Sequence, residues 1–200
     1  CHAICRKISR QGAIVKVLLI NVSLRPGAKQ IYFPIGLGYI ATAISRSRHE
    51  VEILDLELHP LDDGQLRQEF RKRTYDAVAL GCIVTGYGRV KNICNILRQC
   101  SDVPIVIGNT VASSVHEELL QNTEADIAVM GEGDVTIVEL LNALEDGTSL
   151  AEVAGIAYRD QGVTRTTALR PLIPSLDEHH SIDWELFQIE SYLERSKDTV

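Results

Sequence analysis

Glycines stand next to polar residues at several points where an apolar run gives way to a helical pattern. In the last of these, Ile127–Met130 is followed by Gly131-Glu132-Gly133, and the helical pattern starts near Thr136. Glycine lets the backbone approach a ligand closely, and the first N–H groups of a helix have no partner inside the helix. A strand, a glycine loop and a helix start together form a common ligand-binding corner of α/β domains. The pattern predicts ligand binding, but one corner does not identify the ligand.

The sequence lacks the residue patterns of several common catalytic sites. There is no G-x-S-x-G nucleophile turn, no H-E-x-x-H zinc motif and no G-x4-G-K-[S/T] phosphate loop in the 200 residues. A phosphate-receiver domain would need an acidic cluster after the first strand, an aspartate ending the third and a lysine ending the fifth. Asn21, Gly81 and Met130 stand there instead, which excludes a receiver.

The cysteines and histidines show no spacing typical of a metal site. Cys82 and Cys94 fall on apolar faces, where we expect buried, reduced thiols. Cys1 and Cys5 have C-x3-C spacing, but Ile8 occupies the third cysteine position, so no iron–sulfur cluster is expected there. Surface or capping roles are expected for His49, His59, His116, His179 and His180.

Composition and charge narrow the class of protein. The net charge is −7, from 20 basic and 27 acidic residues, and no basic stripe offsets it, which argues against a nucleic-acid partner. No apolar run approaches the roughly 20 residues of a membrane helix, so we expect no membrane partner and a cytoplasmic protein. Residues 1–15 are interpreted as an N-terminal extension or a cloning remnant.

Apolar runs alternate with helical patterns five times between residues 16 and 147, which predicts a parallel sheet with helices on both faces. In such a doubly wound sheet, ligands bind at the carboxyl ends of the strands. The loops beginning at residues 23, 84, 108 and 131 belong to that edge, and each contains glycine. The predicted strands are 16–22, 51–56, 77–83, 104–107 and 127–130. The predicted helices include a single one over 112–121 and a last one from Thr136 to about Leu144.

Two further segments follow the predicted domain at 16–147. Residues 155–166 have the pattern of a β-hairpin around Asp160-Gln161-Gly162, within an appendage spanning 148–174. Residues 175–200 are interpreted as a linker and helical segment. The apolar pattern of 182–193 is expected to pack on this domain or on another one.

Several ordered motifs resemble one family, the N-terminal cobalamin (B12)-binding domain of B12-dependent radical SAM enzymes of the methyltransferase and cyclase type. The resemblance covers about residues 16–193. It rests on Phe33–Ala41, His49–Asp55, Gly131–Thr136, Gly155–Arg159, Arg170-Pro171-x-Ile173 and Asp183–Phe187.

The resemblance implies a flavodoxin-like (Rossmann-like) five-stranded parallel sheet with the corrin ring on its carboxyl edge and the nucleotide tail among the glycine loops. Glu132 is then a contact or loop-ordering residue, and no residue of the chain is assigned a catalytic role. The implied cofactor-binding residues are Pro34, Gly36, Gly38, Thr85, Gly86, Gly108, Asn109, Ala112, Ser113, Gly131, Glu132, Gly133 and Thr136.

Two departures from the family pattern shape the expected cofactor state. The fourth loop reads Gly108-Asn109-Thr110-Val111 where the family often has Gly-Gly-Pro-His, so contacts there should differ. The D-x-H-x-x-G motif that supplies a histidine to cobalt in related mutases and methyltransferases is absent. We therefore predict base-off cobalamin without a protein histidine on the cobalt.

The sequence has no C-x3-C-x2-C motif. The resemblance therefore places the [4Fe-4S] cluster and S-adenosylmethionine in a radical SAM barrel of the same polypeptide, outside these residues. The parent enzyme would transfer a methyl group or carry out a related radical rearrangement or cyclisation. Alternatives are a non-catalytic cobalamin sensor or carrier, and a flavodoxin-like nucleotide or flavin binder. Against flavin, the first loop lacks a Ser/Thr-rich phosphate turn.

Overall fold

The computed structural model describes residues 14–23, 31–172 and 181–197, which form a seven-stranded sheet with helices on both faces. The strand order is β2-β1-β3-β4-β5-β6-β7, and β1 to β5 are parallel to one another. The predictions for Cys1, Cys5, His179 and His180 lie outside the described residues. The strands are β1 (Lys16–Asn21), β2 (Glu50–Asp55), β3 (Ala77–Gly81), β4 (Ile105–Gly108), β5 (Ile127–Val129), β6 (Ile156–Asp160) and β7 (Val163–Thr166).

Seven α-helices lie in the described part of the chain, and none of them is long and apolar enough to cross a membrane. The first and sixth pack on one face of the sheet, and the second to fifth pack on the other. They are α1 (Ile35–Ser45), α2 (Asp63–Lys72), α3 (Tyr87–Cys100), α4 (Asn109–Ser114), α5 (His116–Asn122), α6 (Gly133–Asp146) and α7 (Ile189–Lys197). This is the doubly wound α/β architecture that the alternating pattern predicts.

Alternation along the strands creates the two cores. In β1, Val17 and Leu19 belong to the core beneath α1 and α6, whereas Leu18 and Ile20 belong to the core on the opposite face. Successive strand side chains point to opposite faces, so a strand that is apolar throughout must be covered on both sides. This explains why β1 lies inside the sheet and the more polar β2 lies at its edge.

The predicted hairpin extends the sheet. Strand β6 pairs antiparallel with β5, and β7 pairs antiparallel with β6, so the sheet has two more strands than the five predicted. The unpaired edge of β5 explains this, because its backbone N–H and C=O groups find partners in β6.

Two predicted helix boundaries were wrong. The single helix predicted over 112–121 is two short helices, α4 and α5, separated at Val115, whose φ of −141° and ψ of 47° are not helical. Serines before Val115 favour a helix end, because their hydroxyls compete for backbone groups. Helix α6 begins at Gly133, three residues before the predicted start at Thr136.

His49 is buried at the amino end of the sheet, which corrects the expected surface or capping role. It is 4% exposed. Its Nδ1 accepts a 3.4 Å hydrogen bond from the Val15 N–H, and its Nε2 lies 3.1 Å from Asn142 Oδ1. Burial lowers the pKa of His49 below its ordinary value of 6.5, although nearby Glu145 acts in the opposite direction. The fold therefore favours the neutral ring.

His49 should make stability pH-dependent. Because the folded-state pKa of His49 lies below the unfolded value, its contribution to stability is complete above about pH 6.5 and is lost as the pH falls from there through the folded-state pKa. We expect the melting temperature to fall more steeply between about pH 7 and pH 5 in the wild type than in His49→Gln. The exposed His59→Gln is the control, and equal slopes in all three proteins would contradict the assignment.

Candidate functional site

A cavity of about 630 Å³ opens at the carboxyl edge of the sheet. Its inner walls are apolar and come from strand residues of the core beneath α1 and α6, including Leu19, Ala79, Val106 and Val129. Helices α1 and α6 form the opposite wall, through residues such as Ile40 and Ile137. The cavity is therefore a slot between the sheet and two helices, and its volume is typical of small-molecule sites.

Glycines leave this slot open. A Cβ atom added to Gly36, Gly108 or Gly131 would meet no atom within 4 Å, and all three residues line the cavity. A Cβ on Gly133 would lie 2.9 Å from Ile40 Cδ1, so glycine at this position lets α6 pack closely against α1 at the mouth. Gly131 also has a φ of +72°, a conformation that glycine adopts without strain.

The structure brings seven of the predicted cofactor-binding residues together in the cavity wall, from three different loops. They are Pro34, Gly36, Gly108, Asn109, Gly131, Glu132 and Gly133. Chain order separates these loops by up to about 100 residues, and the parallel sheet gathers them because the carboxyl ends of its strands share one edge.

The other six predicted residues support the edge without lining the cavity. Gly38 packs against Phe33 and Ile182, and a Cβ atom added to it would lie 3.1 Å from each of these side chains. Ala112 is fully buried in the opposite core. Thr85 and Gly86 form a short 3-10 turn at Val84–Gly86, next to the cavity-lining Ile83.

Ser113 and Thr136, the remaining two, order the loops through hydrogen bonds. The Ser113 hydroxyl accepts from the Gly131 N–H at 3.0 Å, which ties the fifth loop to α4. Thr136 is fully buried, and its hydroxyl accepts a 2.9 Å hydrogen bond from Arg170 Nε. Arg170 also forms a salt bridge with Glu139, so Thr136 anchors the segment after β7 on α6.

Asn109 sits at the start of α4 with a φ of +76°. Its Oδ1 accepts a 2.7 Å hydrogen bond from the Thr110 N–H, and asparagine is one of the few residues that tolerate this left-handed conformation. The departure from Gly-Gly-Pro-His in the fourth loop therefore keeps a residue suited to the sharp turn, while it places an amide in the cavity wall.

Several cavity residues were missed by the sequence analysis. Ile35 and Tyr39 are 60% and 37% exposed at the mouth, Ile83 lines the rim, and Asn21 ends β1 inside the wall. Val84 is 80% exposed beside them. Apolar residues in a helix start or a strand end are usually interpreted as core, so only their place at the carboxyl edge could have indicated this role.

The segment 181–197 packs behind the first loop through an aromatic cluster formed by Phe33, Trp184, Phe187 and Tyr192. Phe33 lies 5.1, 4.9 and 5.5 Å from the three other ring centroids, distances at which aromatic pairs attract. The Asp183 N–H also donates to the Thr42 hydroxyl at 2.9 Å. Residues 182–193 were expected to pack on this domain or on another one. They pack on this domain, next to the residues that begin α1.

A polar network connects this segment with the end of β1. Asn21 Nδ2 donates to Asp55 Oδ1 at 3.0 Å and to the Tyr192 hydroxyl at 2.8 Å. The Tyr192 hydroxyl donates to Asp55 Oδ2 at 2.6 Å. Asp55 Oδ1 also accepts from the N–H groups of Glu57 and Leu58. Every polar atom of the Asp55 carboxylate therefore has a donor.

The groups nearest the site carry little reactive chemistry. Burial raises the pKa of the Cys82 thiol to about 11, so this sulfur is neutral near pH 7. No histidine is among the described residues that line the cavity. His59 is exposed beyond β2, and His116 Nε2 lies 3.4 Å from the Thr166 hydroxyl on β7. Most of the described residues that line the cavity are apolar or glycine, a composition suited to binding a small molecule.

Comparison with known proteins identifies the family of the chain. The B12 binding domain family matches residues 26–141, more than half of the chain. An uncharacterized methyltransferase of Pyrococcus horikoshii is 25% identical over 185 residues, covering 90% of this chain and 40% of that protein. The anaerobic magnesium-protoporphyrin IX monomethyl ester cyclase of Synechocystis is 28% identical over 163 residues, covering 80% of this chain and 32% of that protein.

A solved structure shares the fold. The radical S-adenosylmethionine methyltransferase TsrM from Kitasatospora setae, solved with cobalamin and a [4Fe-4S] cluster bound, superposes with a TM-score of 0.71 at 22% identity. The superposition covers 84% of this chain and 31% of TsrM. The chain thus spans less than half the length of each of these proteins. The protein belongs to the B12-binding domain family.

Proposed function

We propose that the chain holds cobalamin base-off, with the nucleotide tail in the slot and the corrin ring across the carboxyl edge. The observation that carries this proposal is the slot itself, an apolar cavity of about 630 Å³ whose mouth is bordered by glycines. A dimethylbenzimidazole base is flat, aromatic and uncharged, so apolar walls can desolvate it without leaving a charge unpaired.

The residues present fit this cofactor. Gly36, Gly108 and Gly131 leave open space where side chains would otherwise project, and Asn109 brings an amide to the same wall. The exposed Ile35 and Tyr39 provide apolar surface at the mouth, where the edge of a large ring could rest. We assign Pro34, Gly36, Gly108, Asn109, Gly131, Glu132 and Gly133 to cofactor contact, and Gly38, Thr85, Gly86, Ala112, Ser113 and Thr136 to shaping those loops.

The proposal includes cobalt without a protein histidine ligand. Among the described residues, His59 lies beyond β2 and His116 contacts β7, so neither lines the cavity. Cobalamin held in this way supplies a cobalt centre able to carry a methyl group, while the chain binds the tail and orients the ring.

The whole protein would then be a radical SAM enzyme. We propose that a barrel of the same polypeptide binds the [4Fe-4S] cluster and S-adenosylmethionine, and that the enzyme transfers a methyl group or performs a related cyclisation. The methyltransferase and the cyclase among the relatives support these two reaction types. Choice of substrate would belong to that barrel, because the described residues bring together no catalytic set.

Anaerobic reconstitution with hydroxocobalamin tests the cofactor assignment. After gel filtration, we expect the corrinoid to elute with the protein, near one per chain, with a base-off visible spectrum. A parallel incubation with FMN should leave the protein colourless. Bound flavin without bound corrinoid would overturn the proposal in favour of a flavodoxin-like binder, and a base-on spectrum would exclude the tail from the slot.

A further inference from the structure

We propose that Tyr192 is a positioning residue for the cofactor site. Together with Asp55 it fixes the Asn21 side chain, so that Asn21 Oδ1 accepts a hydrogen bond from an N–H or O–H group of the bound cobalamin. The inference rests on the proposed function, since it assigns a contact within the same slot.

The network uses both amide hydrogens of Asn21. One goes to Asp55 Oδ1 at 3.0 Å and the other to the Tyr192 hydroxyl at 2.8 Å. An amide carries two donor hydrogens and one acceptor oxygen. Nδ2 faces Asp55 and Tyr192, and Asn21 is part of the cavity wall. Oδ1 is therefore the polar atom of this side chain that is available to a ligand in the cavity.

The direction of each hydrogen bond is fixed by chemistry. Asp55 Oδ1 already accepts from two backbone N–H groups, and a carboxylate can only accept. The Tyr192 hydroxyl must therefore donate to Asp55 Oδ2 and accept from Asn21. Burial, followed by the hydrogen bond to Asp55, raises the pKa of Tyr192 well above its ordinary value, so the hydroxyl stays protonated. A reversed Asn21 would place Oδ1 against an acceptor and is excluded.

Tyr192 connects the segment 181–197 with the cavity wall. Tyr192 lies on α7, and its ring packs on Phe33, the residue directly before the cavity-lining Pro34. Docking of the segment 181–197 and orientation of a group inside the slot are therefore linked. A chain whose C-terminal segment is displaced should bind the cofactor less tightly, although its sheet is intact.

Two classes of donor on cobalamin satisfy an amide oxygen. The corrin ring has peripheral carboxamide N–H groups, and the nucleotide tail has a ribose hydroxyl. Cobinamide keeps the ring amides and lacks the nucleotide, so it separates the two sources without changing the protein.

The test is a double-mutant cycle on cobalamin affinity, measured by equilibrium dialysis with the full chain. We expect Tyr192→Phe, which keeps the ring on Phe33, and Asn21→Ala each to weaken binding by about five- to tenfold, as expected for one lost or misoriented hydrogen bond. In the Asn21→Ala background, Tyr192→Phe should cause no further loss. Tyr75→Phe is the matched control, because its hydroxyl donates to the Phe70 carbonyl on the opposite face.

Non-additivity is the decisive result. A purely structural role for Tyr192 would lower the melting temperature of the free protein and would weaken binding by the same factor in both backgrounds. Independent, multiplying effects would overturn the inference, and so would Asn21→Ala binding as tightly as the wild type.

Cobinamide completes the test. An equal loss of cobinamide affinity in Asn21→Ala places the donor on the ring, and unchanged cobinamide affinity places it on the tail. Failure of the wild type to bind cobalamin base-off removes the proposed function, whereas base-off binding with an unaffected Tyr192→Phe removes only this inference.

Discussion

Gly108→Leu is expected to abolish useful cobalamin affinity in a protein that still folds. Gly108 ends β4 with a φ of −115°, which any residue adopts, and an added Cβ meets no atom within 4 Å. The leucine side chain would instead enter the cavity that Gly108 lines. We expect the dissociation constant to rise by about 100-fold, equal to roughly 2.7 kcal/mol, with the melting temperature of the free protein nearly unchanged.

The control for this substitution is Ala151→Leu, which adds comparable bulk on the exposed turn after α6. It should bind cobalamin as the wild type does. Gly133→Leu should also lose binding, because its Cβ would collide with Ile40 and the added side chain would displace this part of the cavity wall. If Gly108→Leu and Gly133→Leu both keep wild-type affinity, cobalamin is not in this slot.

Among substitutions of partly exposed residues, Arg159→Ala is expected to cause the largest loss of folding stability. Arg159 lies on β6, and its Nη2 lies 2.6, 2.9 and 2.7 Å from the carbonyl oxygens of Leu120, Thr123 and Ala125, which share its two N–H groups. These carbonyls end α5 and lead into β5, and alanine would leave them without this donor. A loss of about 3 kcal/mol corresponds to a fall in melting temperature of roughly 6–12 °C.

Arg165→Ala on the neighbouring strand provides the comparison. Arg165 is 62% exposed at the side chain and makes a single 3.8 Å ion pair with Asp160, so its removal should change stability by less than about 1 kcal/mol. Thermal unfolding of both variants compares their melting temperatures, and Arg159→Ala should unfold at the lower temperature. Equal melting temperatures would show that β6 is not held to the sheet through Arg159.

The architecture could be predicted from the sequence because its signals are local. Apolar runs such as Val17–Ile20 and the stripe of Leu37, Ile40, Ala41 and Ile44 specify strand and helix by period alone. The position of the glycine loops then follows from the rule for parallel sheets. The family motifs added the identity of the ligand, which no single loop could supply.

The contacts within the site depend on long-range geometry, which local patterns do not carry. Ser113 and Gly131 are bonded across 18 residues, and Asn21 and Tyr192 across 171. Nothing in the residue types around Tyr192 indicates that its hydroxyl reaches the end of β1. The serines before Val115 are a local signal for the helix break, but the hydrogen bond from the Gly131 N–H to the Ser113 hydroxyl forms only in the folded protein.

Strand pairing joins residues after 147 to the sheet. The hairpin was predicted from its turn, but its attachment to β5 depends on an edge that only the assembled sheet presents. Arg170 then fastens the end of this hairpin to α6 through Thr136 and Glu139, close to the fifth loop of the site. The segments after α6 therefore support the carboxyl edge of the sheet.

Electron paramagnetic resonance of the protein loaded anaerobically with cob(II)alamin tests the central claim most directly. Free cob(II)alamin near neutral pH keeps its own nucleotide nitrogen on the cobalt, and that nitrogen splits the cobalt lines. If the slot takes the tail and no protein histidine replaces it, the bound cofactor should show cobalt hyperfine lines without nitrogen splitting. Nitrogen splitting in the bound state, from the tail or from a histidine, would contradict the account.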